Sequence, residues 1–192
     1  MRLFHVSEDQ SIERFVPRRP TRQDIDQGTK LVWAINEARL VNFLTPRDCP
    51  RVTFYAKLDS TPGDIDRYIG NTDVSSVIAI EHAWFRKMQE TRLTIYEFDP
   101  TGFILQDAIA GYYVSDKIQV PIGVTTINDL YVAIFERNAE LRVLPNLWSL
   151  CNTIKSSSLG YSMCRMRNAI PSLTEFGRRS LEDNSCRKGI SR

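Results

Sequence analysis

The residues able to do chemistry are few, and the first of them is a histidine near the start of the chain. His5 is one of two histidines among the 192 residues and lies in the apolar run Leu3-Phe4-His5-Val6-Ser7. If this run is a strand, alternation places His5 and Ser7 on one face and Phe4 and Val6 on the other. The sequence therefore predicts one face that packs into a core and another that presents an imidazole beside a hydroxyl.

The sequence contains none of the short motifs that identify common enzyme classes. It has no G-x-x-x-x-G-K-[ST] loop, no G-x-G-x-x-G, no G-x-S-x-G and no H-E-x-x-H. The four cysteines show no C-x-x-C spacing, and with only two histidines they do not suggest a zinc site. We therefore expect no metal, and P-loop kinases, classical dehydrogenases, α/β-hydrolases and zinc proteases are poor candidates.

Charge and hydropathy argue against a nucleic-acid or membrane partner. The net charge is +2, and residues 171–192 hold five basic and three acidic residues, whereas residues 1–170 hold 20 of each. A nucleic-acid-binding domain would instead carry a basic face. No apolar run approaches the roughly 20 residues that span a bilayer, and the first residues lack the apolar core of a secretory signal. We expect a cytoplasmic protein.

Periodicity predicts one globular domain over residues 1–170 and a flexible basic tail over 171–192. Strands are predicted at 3–7, 31–35, 51–56, 74–80, 92–98, 111–115, 118–124, 141–144 and 161–167. Helices are predicted after Asn36, over 81–90, from Thr126 and over 147–154, with long polar connections at 8–29 and 58–73. This mixed order without regular βαβ alternation favours an α+β fold.

Four short blocks resemble, in the same order, the small bacterial ADP-ribosyltransferases that modify rifamycins. Phe4-His5-Val6-Ser7 stands where that family has aromatic-His-Gly-Thr, and Val32-Trp33-Ala34-Ile35 stands at its next strand. Pro100-Thr101-Gly102 is followed five residues later by Asp107, as a Pro-x-Gly turn precedes the family's catalytic aspartate. Tyr112-Tyr113-Val114-Ser115 then precedes a β-branched run.

The resemblance implies a mixed, mostly antiparallel split sheet of ADP-ribosyltransferase-like type with flanking helices, and NAD bound in a cleft between sheets. It implies transfer of ADP-ribose to an unknown acceptor, with Asp107 stabilising the oxocarbenium-like ribose and His5 bonding the ribose hydroxyls. The implied cofactor-binding residues are His5, Ser7, Trp33, Tyr113 and Ser115, with Trp33 or one of Tyr112 and Tyr113 stacking on the nicotinamide.

Alternatives stay open at this point. Val6 occupies the position of a glycine that lets a nucleotide approach the backbone, which favours a non-catalytic domain on the same scaffold that binds a small ligand or a partner protein. Glu140 could supply the acid instead of Asp107. As a whole the sequence also resembles a family of uncharacterised proteins that share Phe-His-Val-Ser, Val-Trp-Ala-Ile, Gly-Tyr-Tyr-Val-Ser and Arg-Met-Arg-Asn-Ala, a kinship that supplies no function.

Overall fold

Two β-sheets lie face to face in the part of the chain that the computed structural model describes, residues 1–19 and 28–172. The strands are β1 (Leu3–Ser7), β2 (Val32–Asn36), β3 (Arg51–Tyr55), β4 (Ser76–Glu81), β5 (Leu93–Phe98), β6 (Ile104–Asp107), β7 (Tyr112–Ser115), β8 (Gly123–Ile127), β9 (Ala139–Leu144) and β10 (Gly160–Cys164). The α-helices are α1 (Pro62–Tyr68), α2 (Phe85–Glu90), α3 (Leu130–Phe135) and α4 (Trp148–Lys155), and 3₁₀ helices cover Glu37–Phe43, His82–Trp84 and Met166–Asn168.

The first sheet has six strands in the order β6-β7-β2-β1-β5-β8, each antiparallel to its neighbours. The second has four strands in the order β10-β3-β4-β9, in which β4 and β9 pair in parallel. The α+β class and the mostly antiparallel pairing are thus as predicted. The helices are few and short, and they cover parts of the second sheet and of the space between the sheets.

The sheets bury their apolar residues in three clusters. Phe4, Ile35 and Ile95 on the inner face of the first sheet pack against Ile78 and Ile80 of the second. The outer face of the second sheet packs against α4 and the end of α1. The outer face of the first sheet is covered by the segment after β1, whose Phe15 packs on Tyr96 and Phe98. Each face of the first sheet is therefore buried by a different part of the chain.

Several predicted elements differ from the structure for identifiable reasons. Residues 58–73 were expected as a connection, but α1 forms there because Thr61 caps it and Pro62 occupies its first turn. The strand predicted at 118–124 instead spans Gly123–Ile127, which displaces the helix start from Thr126 to its actual N-cap, Asp129. Strand β6 was not predicted because its residues are exposed or half-buried and so show no apolar alternation.

Part of the polar segment 8–29 and nearly all of the predicted tail 171–192 lie outside the described residues. A fully buried carboxyl group, that of Glu81, marks the point where the last described segment joins the second sheet. It accepts hydrogen bonds from the backbone of Ile170, at 3.0 and 3.1 Å, and of Leu147, at 3.4 Å. The C-terminal end of the described chain is thereby tied to β4.

Candidate functional site

His5 lies on the outer face of the first sheet and is half-buried beneath the segment that covers it. Its Nδ1 is 3.0 Å from the carbonyl oxygen of Trp33, and its ring centroid is 4.8 Å from that of Phe15. Because a carbonyl can only accept, Nδ1 carries the proton and Nε2 keeps its lone pair. Burial lowers the pKa of His5, and the nearby Arg47 and Arg18 lower it further against the opposing effect of the Trp33 carbonyl. The ring is therefore neutral at pH 7.

Three other predicted residues share the outer face with His5. In an antiparallel sheet, residues directly opposite one another point to the same side, and the pairs Ala34 with Tyr113 and Val32 with Ser115 extend the His5 face across β2 to β7. Ser7 follows His5 by two positions and accepts a hydrogen bond from the backbone of Asp9 at 3.1 Å. Ser115 is buried, and its hydroxyl accepts a hydrogen bond from the side chain of Gln119 at 2.9 Å.

Trp33 projects from the opposite, inner face of the sheet. It pairs with Val114, and its ring meets that of Tyr112 edge to face at 5.5 Å between centroids. Tyr112 and Tyr113 do point to opposite faces, as their positions in a strand predict. The sheet therefore separates the Trp33 ring from the imidazole of His5, although the Trp33 carbonyl accepts the His5 hydrogen bond.

Asp107 ends β6, which lies three strand positions from β1. At about 4.8 Å between neighbouring strands, this places Asp107 on the order of 14 Å from His5. One oxygen of its carboxylate accepts hydrogen bonds from the backbone of Ile109, at 3.0 Å, and Ala110, at 2.9 Å. Asp107 thus shapes the turn between β6 and β7. Glu140 lies on the other sheet, in β9, where it forms an ion pair with Arg142 at 2.9 Å.

A cleft of about 630 Å³ opens between the two sheets, and we call it the inner cleft. Its walls come from the inner face of β1, β5 and β8, from the 3₁₀ helix after β2, from Ser75 just before β4, and from the two residues that follow α3. Its charged side chains are Arg2, Glu37, Arg39, Glu97, Glu136 and Arg137. None of the site residues predicted from the sequence lines it.

Arg39 is the most unusual of these charged groups. Its guanidinium carbon lies 3.4 Å from the centroid of the Tyr55 ring, so the two planes are in contact. The half-buried guanidinium has no hydrogen bond or ion pair to any described residue, and burial lowers its pKa. It nevertheless stays protonated at neutral pH. The cleft therefore holds a partly desolvated cation whose N–H groups lack an acceptor within the described chain.

Two glycines make room for this stack. Gly160 pairs with Tyr55 across β10 and β3, and a Cβ on Gly160 would lie 2.4 Å from the tyrosine ring. A Cβ on Gly111, whose φ is +71°, would lie 2.7 Å from the side chain of Arg39. The Tyr55 ring thus packs on Gly160 and the Arg39 Cγ packs on Gly111, while the Asn36 cap of the 3₁₀ helix fixes the backbone of Arg39.

Arg2, another charged residue of the inner cleft, is paired with two carboxylates. Arg2 donates two hydrogen bonds to Glu97, both at 2.8 Å, and one to Glu37 at 2.7 Å, and these carboxylates hold the pKa of Arg2 above its usual value. Among the described residues, the carboxylate of Glu136 has no such partner. Arg137 likewise has no carboxylate partner among these residues, but it donates a hydrogen bond to the carbonyl of Ala133 at 2.8 Å. Of the three arginines that line the inner cleft, Arg39 is therefore the one whose N–H groups have no acceptor in the described chain.

Sequence reasoning missed Arg39, and the reason is its non-local partner. The sequence predicts a helix after Asn36, which places Arg39 in its first turn. Nothing local marks the residue as different from the other arginines, because Tyr55 and Gly111 are distant in the chain. The only available signal was an aromatic residue at the end of a predicted strand followed by polar sequence, which many proteins share.

Residues 4–169 match the model of a family described as a family of unknown function, DUF6886. The match covers most of the chain, so the protein belongs to that family, and the expected kinship with uncharacterised proteins is confirmed. Comparison with curated proteins and with solved structures gives no match. The comparisons thus lend no support to the resemblance to ADP-ribosyltransferases. No helix of the described residues is both long and apolar enough to cross a membrane.

The lowered pKa of His5 predicts a specific pH dependence of stability. Since the pKa is lowered from 6.5 on folding, the unfolded chain binds more protons below that pH. The stabilisation by the neutral ring is complete above pH 6.5 and is lost as the pH falls toward the folded-state pKa. We expect His5→Asn, which keeps an N–H near the Nδ1 position, to reduce the slope of the unfolding free energy between about pH 5 and 7.

Urea denaturation at several pH values measures this slope, which for one group cannot exceed about 1.4 kcal/mol per pH unit. His82→Asn is the matched control because His82 is exposed. The expectation is contradicted if His5→Asn and the unaltered protein lose stability in parallel as the pH is lowered.

Proposed function

We propose that this member of the DUF6886 family is a small-molecule-binding domain whose inner cleft takes an anionic ligand at Arg39. The observation that carries the proposal is the half-buried guanidinium stacked on Tyr55 without an acceptor among the described residues. The function needs neither His5 nor Asp107 as a catalytic pair, which their separation across three strand positions disfavours.

Partial burial of the Arg39 guanidinium without an acceptor costs free energy. A guanidinium that is partly removed from water loses hydrogen bonds to water. An acceptor at its N–H groups compensates for that loss. The stack on Tyr55 stabilises the charge at the face of the guanidinium. It leaves the N–H donors at the edge of the group without an acceptor. Carboxylates and phosphates fit this edge with two parallel hydrogen bonds.

The size and position of the inner cleft also suit a ligand. A volume of about 630 Å³ falls within the range of small-molecule sites, and the walls combine apolar side chains with a few polar ones. Phe4, Leu40 and Ile95 supply the apolar part. Most of the walls belong to strands of the first sheet and to a capped 3₁₀ helix, so the site exists before a ligand arrives.

Pyrophosphate binding, measured by isothermal titration calorimetry, tests the role of Arg39. We expect saturable binding at concentrations up to about 10 mM and a loss of about tenfold or more in affinity for Arg39→Gln. Arg39→Lys should recover only part of the affinity, because an ammonium cannot form the paired hydrogen bonds.

The matched control is Arg86→Gln, which removes an exposed arginine that is paired with Glu90 outside the cleft. It should leave pyrophosphate binding unchanged. The proposal fails if pyrophosphate does not bind, or if Arg39→Gln and Arg86→Gln bind it equally well.

A second candidate function is NAD-dependent ADP-ribose transfer within the same cleft. Glu136 favours it, because this carboxylate lines the cleft and has no partner among the described residues. In that reaction the bond between ribose and nicotinamide breaks and its electrons leave with nicotinamide, while a nucleophile of the acceptor bonds to the ribose carbon and loses a proton. A carboxylate beside the ribose would stabilise the positive charge that develops there.

Release of nicotinamide from NAD, followed by chromatography with water as the acceptor, tests this second candidate. We expect release by the unaltered protein and at least about a hundredfold slower release by Glu136→Gln, with binding of NAD retained. Glu90→Gln is the control, since Glu90 lies outside the cleft. If the unaltered protein binds NAD but releases no nicotinamide, the transferase candidate is wrong and the binding proposal stands.

A further inference from the structure

Arg39 also lines a second depression, which we call the outer cleft. It has a volume of about 620 Å³ and shares Arg39 and Ser75 with the inner cleft. Tyr55, Lys57, Leu58, Ala108 and Ile109 form most of its surface, with Ala56 and Ser75 completing it. Because Arg39 belongs to both clefts, a ligand held at its guanidinium can extend into either one.

The charge of the outer cleft is positive. Its lining includes Arg39 and Lys57 and no acidic residue. The nearest counter-charge is Asp59, whose carboxylate is 3.3 Å from the Lys57 ammonium in an exposed pair. Exposed pairs of this kind are weak and exchange readily with other partners. An anion at Arg39 would therefore meet a second cation and no lining carboxylate on the outer side, whereas the inner cleft holds three carboxylates beside its three arginines.

The rest of the outer cleft is apolar, and its apolar groups face solvent. The Leu58 side chain is fully exposed, at 109%, and that of Ile109 is 66% exposed. Leu58 lies in the connection after β3, and Ile109 lies in the turn between β6 and β7. Exposed apolar side chains that flank a positive group form the kind of surface that a ligand with matching parts can cover.

The apolar wall at Ile109 is held in place. The carbonyl of Ile109 accepts a hydrogen bond from the Tyr55 hydroxyl at 3.2 Å, and its backbone N–H donates to Asp107 at 3.0 Å. The same tyrosine ring carries the Arg39 guanidinium on its face. One residue of the second sheet thus fixes both the cation and the apolar wall, so their relative position is part of the fold.

We infer that the ligand is an amphipathic anion, with a phosphate or carboxylate group at Arg39 and Lys57 and a flat apolar part against Leu58 and Ile109. This inference rests on the anion site at Arg39 that the proposed function assigns; it adds the chemical class of the ligand and extends the ligand from Arg39 into the outer cleft. Arg39 supplies two N–H groups to the anion, and Lys57 supplies a mobile ammonium. The apolar part of the ligand raises the affinity for the protein, because it covers exposed apolar side chains that are otherwise in contact with water.

Four small probes separate the two parts of the inference in calorimetric titrations: inorganic phosphate, phenyl phosphate, phenylacetate and benzyl alcohol. Phenyl phosphate should bind about tenfold tighter than inorganic phosphate, because the ring covers apolar surface. Benzyl alcohol, which lacks the charge, should bind at least about tenfold more weakly than phenyl phosphate. The stronger of phenyl phosphate and phenylacetate identifies the anionic group.

Two variants test which residues bind the apolar part of the ligand and which bind its anionic group. Ile109→Ser should remove the advantage of phenyl phosphate over inorganic phosphate and leave inorganic phosphate binding unchanged. Arg39→Gln should weaken both. The matched control is Ile104→Ser, which changes an isoleucine that is equally exposed, at 67%, but lines neither cleft. Both isoleucines are exposed, so neither variant should unfold the protein.

The outcomes distinguish this inference from the proposed function. If inorganic phosphate binds through Arg39 but the phenyl group adds nothing, or if Ile109→Ser and Ile104→Ser behave alike, the amphipathic class is wrong and anion binding stands. If no charged probe binds, both are wrong. The inference is supported if phenyl phosphate binds more tightly than inorganic phosphate and if Ile109→Ser, but not Ile104→Ser, removes that difference in affinity.

Discussion

A guanidinium lying on a tyrosine ring connects the two sheets at the place where the clefts meet. Arg39 belongs to the 3₁₀ helix that follows β2 of the first sheet, and Tyr55 is the last residue of β3 in the second. The contact requires glycine on both sides, since a Cβ at Gly111 would strike Arg39 and a Cβ at Gly160 would strike Tyr55. Everything proposed about ligand binding depends on this stack, because it positions a cation without neutralising it.

The surroundings of the stack explain why its charge stays available. The Asn36 side chain caps the 3₁₀ helix and so fixes where Arg39 leaves the backbone. Two of the three carboxylates that line the inner cleft, Glu37 and Glu97, are already bound by Arg2. The outer face of the first sheet, by contrast, is filled by Phe15, Tyr96 and Phe98, which leaves His5 as a half-buried residue at the margin of a core. The anion site that we propose is therefore separate from His5, which lines neither cleft.

How far the sequence predicts this protein depends on how local each signal is. The strand at Leu3–Ser7 and the cap at Asn36 follow from short-range patterns and are found as predicted. Strand β6 was missed because none of its side chains is buried, so no alternation marks it. The proposed pairing of His5 with Asp107 depended on strand order, which a resemblance of short blocks does not determine. The structure places β7 and β2 between them.

Asp107 illustrates how a residue can matter through a different mechanism from the one its sequence context suggests. Its carboxylate is occupied by two backbone N–H groups of the turn that carries Ile109, and that turn borders the outer cleft. The residue thus shapes a wall of the site. Arg39 shows the converse, since its importance comes entirely from Tyr55, Gly111 and the lack of a described carboxylate partner, all of which are properties of the folded chain.

The most direct test of the central claim follows the Arg39 guanidinium itself. In ¹⁵N-labelled protein, the arginine Nε–H resonances can be assigned with Arg39→Lys and followed by nuclear magnetic resonance during titration with inorganic phosphate. We expect the Arg39 resonance to shift saturably, while that of Arg86, an exposed arginine outside the clefts, changes little. An Arg39 resonance that stays in place, or that moves no more than that of Arg86, would contradict the claim that this guanidinium binds anions.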